Sequence, residues 1–308
     1  MSSKVVAVAG AGGLVGEAFT DALLNSGVFK VRILTRESSI DSAPLQDFKK
    51  RGASLHAISY EDEASIIKAL EEVDTVVATV AATALVSAQV PLIKAAKKAG
   101  VKLYFPSEYG SVGRIQLDLN VAMPLTCVLK YFREFEDDSS PSPIIQAKKT
   151  VLKTAKEVGL PVAVVSNGGF PECCFIPPIG YAFAQKKATI WGDGNAKHSW
   201  TTVRDVAQWV ANVLETVPIE QLQDKHFRIQ GDLASSNEVV RLWEKKHNDK
   251  LQVEYRPVEE LEYRIKANKN DFLAILLKEW SAGRGQLKAP LSNDLYPGWK
   301  PSSIESVL

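Results

Sequence analysis

The chain has 308 residues, of which 45% are hydrophobic and 24% charged, with 19 Gly and 15 Pro. That composition is ordinary for a globular protein and excludes collagen-like, mucin-like and disordered classes. Basic and acidic residues number 37 and 36, a formal charge of +1, so nothing electrostatic argues for nucleic acid or an anionic membrane as partner. The apolar run Val5 to Val15 is broken by glycines and too short to span a bilayer. It has no basic leader of any length, so no signal peptide is expected. Three cysteines make neither a disulfide framework nor a zinc spacing. The chain therefore reads as a cytosolic protein with reduced thiols.

In chain order, Lys4–Ala9 is a β-branched run that predicts a first strand, and Gly13–Ser26 has helical spacing up to Gly27. Lys30–Thr35 follows as a strand and Pro44–Arg51 as a short helix closed by Gly52. Ser54–Ile58 is a third strand, and Ala64–Glu72 a helix with Asp62 as its N-cap. Thr75–Val80 and Val101–Phe105 are further strands around a helix over Ser87–Lys98. Near-continuous apolar strands alternating with helices predict a buried parallel sheet. The fold class expected is a doubly wound α/β Rossmann sheet with a smaller, partly interleaved α+β lobe.

Gly110 to Pro143 breaks this rhythm, and Phe132–Ser142 reads as a polar surface loop. Ile144–Val158 predicts a helix and Pro161–Ser166 a sixth strand. From Gly168 the pattern turns to short strands, aromatics and turns. Ala188–Trp191 is a strand before the Gly192–Asn195 turn, and Thr202–Glu215 is a helix. Ser235 and Glu238 form a capping box for a helix through Lys246. A strand over Leu251–Arg256 and a helix over Val258–Lys266 complete the reading. The domain expectation is a dinucleotide-binding part over 1–166, taking in some of 200–235, and a substrate lobe over 167–308.

The strongest motif is Gly10-Ala11-Gly12-Gly13-Leu14-Val15-Gly16, between the first strand and first helix. Glycine lets the backbone turn sharply and approach a pyrophosphate. The helix N-terminus adds free N–H groups and partial positive charge. In this strand–turn–helix setting Gly10, Gly12, Gly13, Leu14, Val15 and Gly16 are expected to hold a dinucleotide. An acidic residue at the end of the second strand would bind a ribose 2′-hydroxyl. This chain has Thr35-Arg36 there, and a guanidinium suits a 2′-phosphate, which favours NADPH over NADH. Lys49, Lys50 and Arg51 are candidates either for the same phosphate or for capping the short helix. Residues after strands four to six form the edge where nicotinamide would lie. They are Val80, Ala81 and Ala82, then Pro106 and Ser107, then Asn167 and Phe170.

Further phrases carry a resemblance: Gln89 to Lys102, Phe105-Pro-Ser-Glu-Tyr-Gly110, Asn167-Gly-Gly-Phe170, Gly192-Asp-Gly-Asn195, Arg204-Asp-Val-Ala207 and Ser236 to Lys246. Together with the glycine turn and Arg36 the chain resembles the isoflavone reductase-like, NmrA-like branch of the atypical short-chain dehydrogenases/reductases. That resemblance implies a Rossmann domain binding NADPH/NADP and a C-terminal substrate lobe. It also implies a catalytic acid/base lysine early in the helix before the sixth strand, which here is Lys148. The plant pattern departs at Leu152, where it has arginine, and at Leu45, where it has lysine, so that Lys49 would have to substitute.

The substrate is expected to be small, apolar and aromatic or quinone-like. Tyr109, Met123, Gly168, Phe170 and Phe175 are its candidate contacts. The Tyr-x-x-x-Lys pair of typical short-chain dehydrogenases is expected to be absent. His56, His198, His226 and His247 have no metal spacing, and no metal is expected. Cys173 and Cys174 read as two small buried thiols. Two function classes stand: an NADPH-dependent reductase using Lys148, and a non-catalytic NADP(H)-binding NmrA-like regulator or redox sensor. A sensor has no need of Lys148. Oligomeric state is unreadable, and a homodimer is compatible with the sequence.

Overall fold

The computed structural model describes residues 4–108 and 143–308. In chain order the elements are β1 (Val5–Ala9), α1 (Leu14–Asn25), β2 (Lys30–Thr35), α2 (Ala43–Lys50), β3 (Ser54–Ala57), α3 (Glu63–Ala69), β4 (Thr75–Ala78), α4 (Leu85–Lys98) and β5 (Leu103–Phe105). Then come α5 (Pro143–Val158), β6 (Ala163–Ser166), α6 (Pro171–Cys174), β7 (Tyr181–Ala182), β8 (Lys187–Trp191), β9 (Lys197–Trp200), α7 (Val203–Thr216) and α8 (Ile219–Leu222). The last are β10 (Lys225–Arg228), β11 (Asp232–Ser235), α9 (Ser236–His247), β12 (Gln252–Arg256), α10 (Glu259–Ala267), α11 (Phe272–Ser281) and α12 (Ile304–Val307).

These residues gather into two compact units. The first contains 4–108, 146–165 and 206–227; the second contains 143–145, 166–205 and 228–308. In the first unit five strands form a sheet in the order β3-β2-β1-β4-β5, all parallel. A parallel bridge from Tyr104 to Val162 carries the sheet on towards β6, which pairs with β10. The fold is Rossmann-like, as the alternation of strand and helix predicts.

The central strands are apolar on both faces because helices cover both, so Ala7, Val8, Val76 and Val77 are fully enclosed. One core cluster joins Leu34, Val76 and Tyr104 to Ile66 of α3, Leu92 of α4, and Val151 and Ala155 of α5. Asp62 caps α3 by accepting from the Ala64 N–H at 3.0 Å, the cap expected from sequence. Lys4 binds the α7 carbonyls of Leu214 and, at 3.0 Å, Glu215. A cation at a helix C-terminus satisfies orphan carbonyls and the helix dipole together.

In the second unit β8 lies between β12, parallel to it, and β7, antiparallel. β9 and β11 form a separate antiparallel pair. The Ser235–Glu238 capping box forms as predicted and starts α9. Trp243 and Val240 of that helix pack on Ala188 and Ile190 of β8. The apolar helix α11 was not anticipated. Asp271 is its N-cap, accepting from Ala274 N at 3.0 Å while its carboxylate is clasped by Arg264 at 2.9 and 3.0 Å. Near the C-terminus, the backbone N–H groups of Ser302 and Ile304 donate to Asp205 and Asp232, each at 2.8 Å.

Two cysteine and tyrosine expectations are corrected. Cys173 is disulfide-bonded, and among the described residues Cys174 keeps a free, buried thiol. Burial, reinforced by the nearby Glu172 charge, pushes that thiol far above its ordinary range. One Tyr-x-x-x-Lys spacing does occur, at Tyr296 and Lys300. It falls in a turn containing Pro297 and Gly298, not on a helix, so the one-face juxtaposition that helical spacing gives is missing there.

Candidate active site

β1 ends in the middle of the sheet, and the chain must turn there beneath α1. Gly10 takes φ +92°, and a Cβ on it would stand 2.7 Å from the Thr79 carbonyl oxygen. Thr79 in turn donates its hydroxyl to Ala9 O at 2.9 Å, which binds the ends of β1 and β4 together. A Cβ on Gly16 would fall 2.1 Å from Gly10 O. The helix therefore rests directly on the turn, which only glycine at 16 permits. Gly12 differs: it is exposed, with nothing within 4 Å of its Cβ direction. Gly13 is the N-cap of α1 and offers no side-chain cap. Leu14 is half-buried and Val15 buried. The turn thus presents uncapped N–H groups and an open face, which is what a phosphate needs.

At the end of β2, Thr35 is half-buried and Arg36 exposed. Burial pushes the Tyr60 phenol up, and the neighbouring Arg36 charge opposes that. Lys49 and Lys50 are exposed in the last turn of α2. Arg51 is engaged elsewhere: it pairs with Asp21, bonds Asn25 at 3.2 Å and lies over the Phe48 ring. Those contacts tie Arg51 to α1 and to the Phe48 ring of α2. Leu45 is core, 2% exposed.

The strand ends supply the next group. Val80 is buried, Ala81 exposed and Ala82 half-buried. Pro106 and Ser107 follow β5 and are buried. Ser107 donates its hydroxyl to Val80 O at 2.8 Å and its N–H to the Gln89 side-chain oxygen at 2.8 Å. Its hydroxyl proton is therefore spent on joining two strand ends. Lys148 lies early in α5 with a side chain only 9% exposed, and its Nζ is 2.8 Å from Oε2 of Glu108, itself 2% exposed. It also donates to the Glu108 carbonyl at 3.2 Å. Sequence reading singled out Lys148 but missed Glu108 as its partner, although Glu108 stood in the Pro-Ser-Glu-Tyr-Gly phrase. No local signal separates a buried glutamate from a solvated one.

In the second unit the expected contacts resolve differently. Asn167 is fully buried, and its carbonyl accepts from Thr201 Oγ1 at 2.7 Å. Gly168 has φ +70°, and a Cβ there would meet Ser199 O at 2.1 Å. Phe170 is 0% exposed. Phe175 packs its ring against Tyr181 and Trp200, both at 5.2 Å, and Phe183 at 5.9 Å. Phe170 is enclosed, Phe175 is half-buried within an aromatic group, and Gly168 is a close-approach glycine. Tyr109 and Met123 lie outside the described residues. Among the described residues no cluster of His, Cys, Asp or Glu could hold a metal ion, and no helix is long and apolar enough to cross a membrane.

Residues 2–123 match the family model of the NmrA-like family. That NmrA-like stretch includes the glycine turn, Arg36 and Glu108. A phenylcoumaran benzylic ether reductase of Pinus taeda, PT1, is 28% identical over 84% of this chain and 80% of its own length. Among solved structures, AtPrR2 with NADP+ and (+)-pinoresinol superposes with a TM-score of 0.79 at 21% identity, covering 100% of this chain and 98% of that one. A crystal structure of an isoflavone reductase gives 0.78 at 21% identity, over 99% and 98%. The fold is therefore that of the isoflavone reductase-like proteins.

Proposed function

We propose that this chain is an NADPH-dependent reductase of a small aromatic or quinone-like substrate, with Lys148 as the group that moves the proton. The observation that carries the reading is the enclosed Lys148–Glu108 pair, in the same unit as the open glycine turn. A buried ion pair is a costly way to hold a fold together and a common way to prepare a proton-transfer group. The names of the relatives support the class: reductases of a benzylic ether and of an isoflavone, and a pinoresinol complex with NADP+.

The residues present fit the cofactor. Gly10 to Gly16 would hold the pyrophosphate, Gly12 leaving room and Gly13 heading an uncapped helix. Arg36 and Thr35 would take the 2′-phosphate. Val80, Ala81, Ala82, Pro106 and Ser107 would border the nicotinamide. When bound, the nicotinamide supplies hydride. The Lys148 ammonium then gives a proton to the substrate oxygen, or recovers one in the reverse direction. Of the bordering residues, Val80 and Pro106 are buried and apolar, while Ala81 is exposed.

The test is a titration of the purified protein with NADPH and NADH, followed by nicotinamide fluorescence, in wild type and Arg36→Ala. Tighter NADPH binding is expected, weakened about tenfold in the variant by loss of a charge-assisted contact. The reading fails if neither dinucleotide binds at micromolar concentration. Tight binding without turnover on any aromatic or quinone probe would instead favour the regulator.

A further inference from the structure

Lys148 and Glu108 are 40 residues apart, on α5 and on the turn after β5, and both are enclosed. Taking two ions out of water costs several kcal/mol for each, and an apolar pair of similar volume often serves stability better. The pair is therefore a poor structural device. Its geometry suits another purpose. Glu108 meets the ammonium at two points, its carboxylate at 2.8 Å and its own carbonyl at 3.2 Å. An ammonium has three donors: one bonds the Glu108 carbonyl, the carboxylate beside it balances the charge, and donor capacity remains for a further acceptor.

The seat itself is braced. The Glu108 N–H closes a tight turn on Pro106 O at 2.6 Å. Gln89, 1% exposed on α4, accepts at one side-chain oxygen from Ser107 N at 2.8 Å and from the Tyr104 hydroxyl at 3.2 Å. Ser107 Oγ ties the turn to the end of β4 at Val80 O. Three successive elements, β4, α4 and β5, thus determine where the Glu108 backbone lies. On the other side, Val151 and Ala155 anchor α5 in the core, each 1% exposed.

We propose that Glu108 is the positioning residue of the proton-transfer site: its carbonyl, by a hydrogen bond, and its carboxylate, by charge, hold the Lys148 ammonium so that a remaining N–H is presented to the substrate oxygen. The proposal rests on the reductase reading. In the step, that Nζ–H bond breaks, an O–H bond forms on the substrate, and the amine recovers its proton from solvent. Glu108 does not touch the substrate.

The experiment uses the purified full chain as wild type, Glu108→Gln and Glu108→Asp, with two independent readouts. The first is competitive acetylation by acetic anhydride at about pH 8, where lysines are measurably reactive. It is read by mass spectrometry as the ratio of Lys148 to Lys153, whose side chain is 77% exposed. The second is NADPH oxidation with (+)-pinoresinol and menadione as probes, separated into kcat and KM, beside NADPH affinity by fluorescence. In Glu108→Gln the acetylation ratio should rise roughly fivefold or more as the amine is released. Its kcat should fall about 30-fold, with KM and NADPH affinity within about threefold. Glu108→Asp should restore much of the loss.

An unchanged ratio together with unchanged kcat overturns the proposal. So does a change in KM or NADPH affinity with kcat intact, which would mark Glu108 as merely structural. If Glu108→Gln does not fold, Glu108→Asp and the wild-type ratio decide, and a wild-type ratio near that of a free lysine overturns the seat. Absence of NADPH binding removes the reductase reading alone, because the acetylation ratio still reports whether Glu108 holds Lys148.

Discussion

A lysine whose side chain is 9% exposed has to be balanced by something, and the identity of its partner decides what the residue can do. Lys148 was legible only through a phrase-level resemblance, because Lys149, Lys153 and Lys156 surround it in sequence and any of them could have been the inward one. Helical phase separates them: Lys148 shares a face with the buried Val151 and Ala155, whereas Lys153 is largely exposed. If Lys148 moves the proton, Lys148→Ala should lower kcat by about 10² to 10⁴. NADPH affinity should stay within about threefold, since the loss falls on the chemical step. Steady-state kinetics beside a fluorescence titration checks this. Equal losses in binding and turnover would count against the role.

At the scale of elements, sheet and helices were readable because their signals are local. Strand β1, between β2 and β4, pairs residues of short β-branched, largely apolar runs, and Asp62 and Ser235 cap the helices that sequence assigned to them. What was not readable depended on distant partners. The short strands β9, β10 and β11 exist through each other or through β6. Sequence alone leaves Phe170 and Phe175 open between pocket wall and core, because an apolar residue near a site cannot be told from core by its type; in the fold Phe170 is enclosed and Phe175 half-buried. The turn before α1 allows a sharp prediction. A methyl group at position 16 would lie 2.1 Å from Gly10 O, a backbone atom that cannot swing aside. Gly16→Ala should therefore cost about 1–3 kcal/mol by overpacking. It should also weaken dinucleotide binding, whereas Gly12→Ala, with open space around it, should leave stability nearly unchanged. Thermal unfolding of both variants distinguishes the two glycines.

For the whole molecule, the balance of charges hides a strong dependence on acid. His198 of β9 is 3% exposed, with its ring 4.8 Å from that of Trp280 and 6.0 Å from that of Trp200. Burial alone lowers its pKa from 6.5 to about 3. The folded value is thus below the unfolded one, so its contribution is complete above pH 6.5 and is lost as pH falls from there towards 3. The full span is worth up to about 5 kcal/mol. Denaturant unfolding of wild type and His198→Gln between pH 7 and 4 measures it. Wild type should lose stability more steeply than the variant, and parallel curves would contradict the assignment.

The two units are also threaded through each other: the unit that carries the glycine turn takes in residues 206–227, after the chain has already contributed 166–205 to the other. A ribosome delivers about 5–20 residues per second from the N-terminus. During that interval β6 has been made but β10, the strand that pairs with it, has not. The nascent sheet waits with a bare edge, open to pairing with another chain. The vulnerable moment in the life of this protein is therefore set by the order of its strands along the chain, and it falls during synthesis, before the unit that carries the glycine turn is complete.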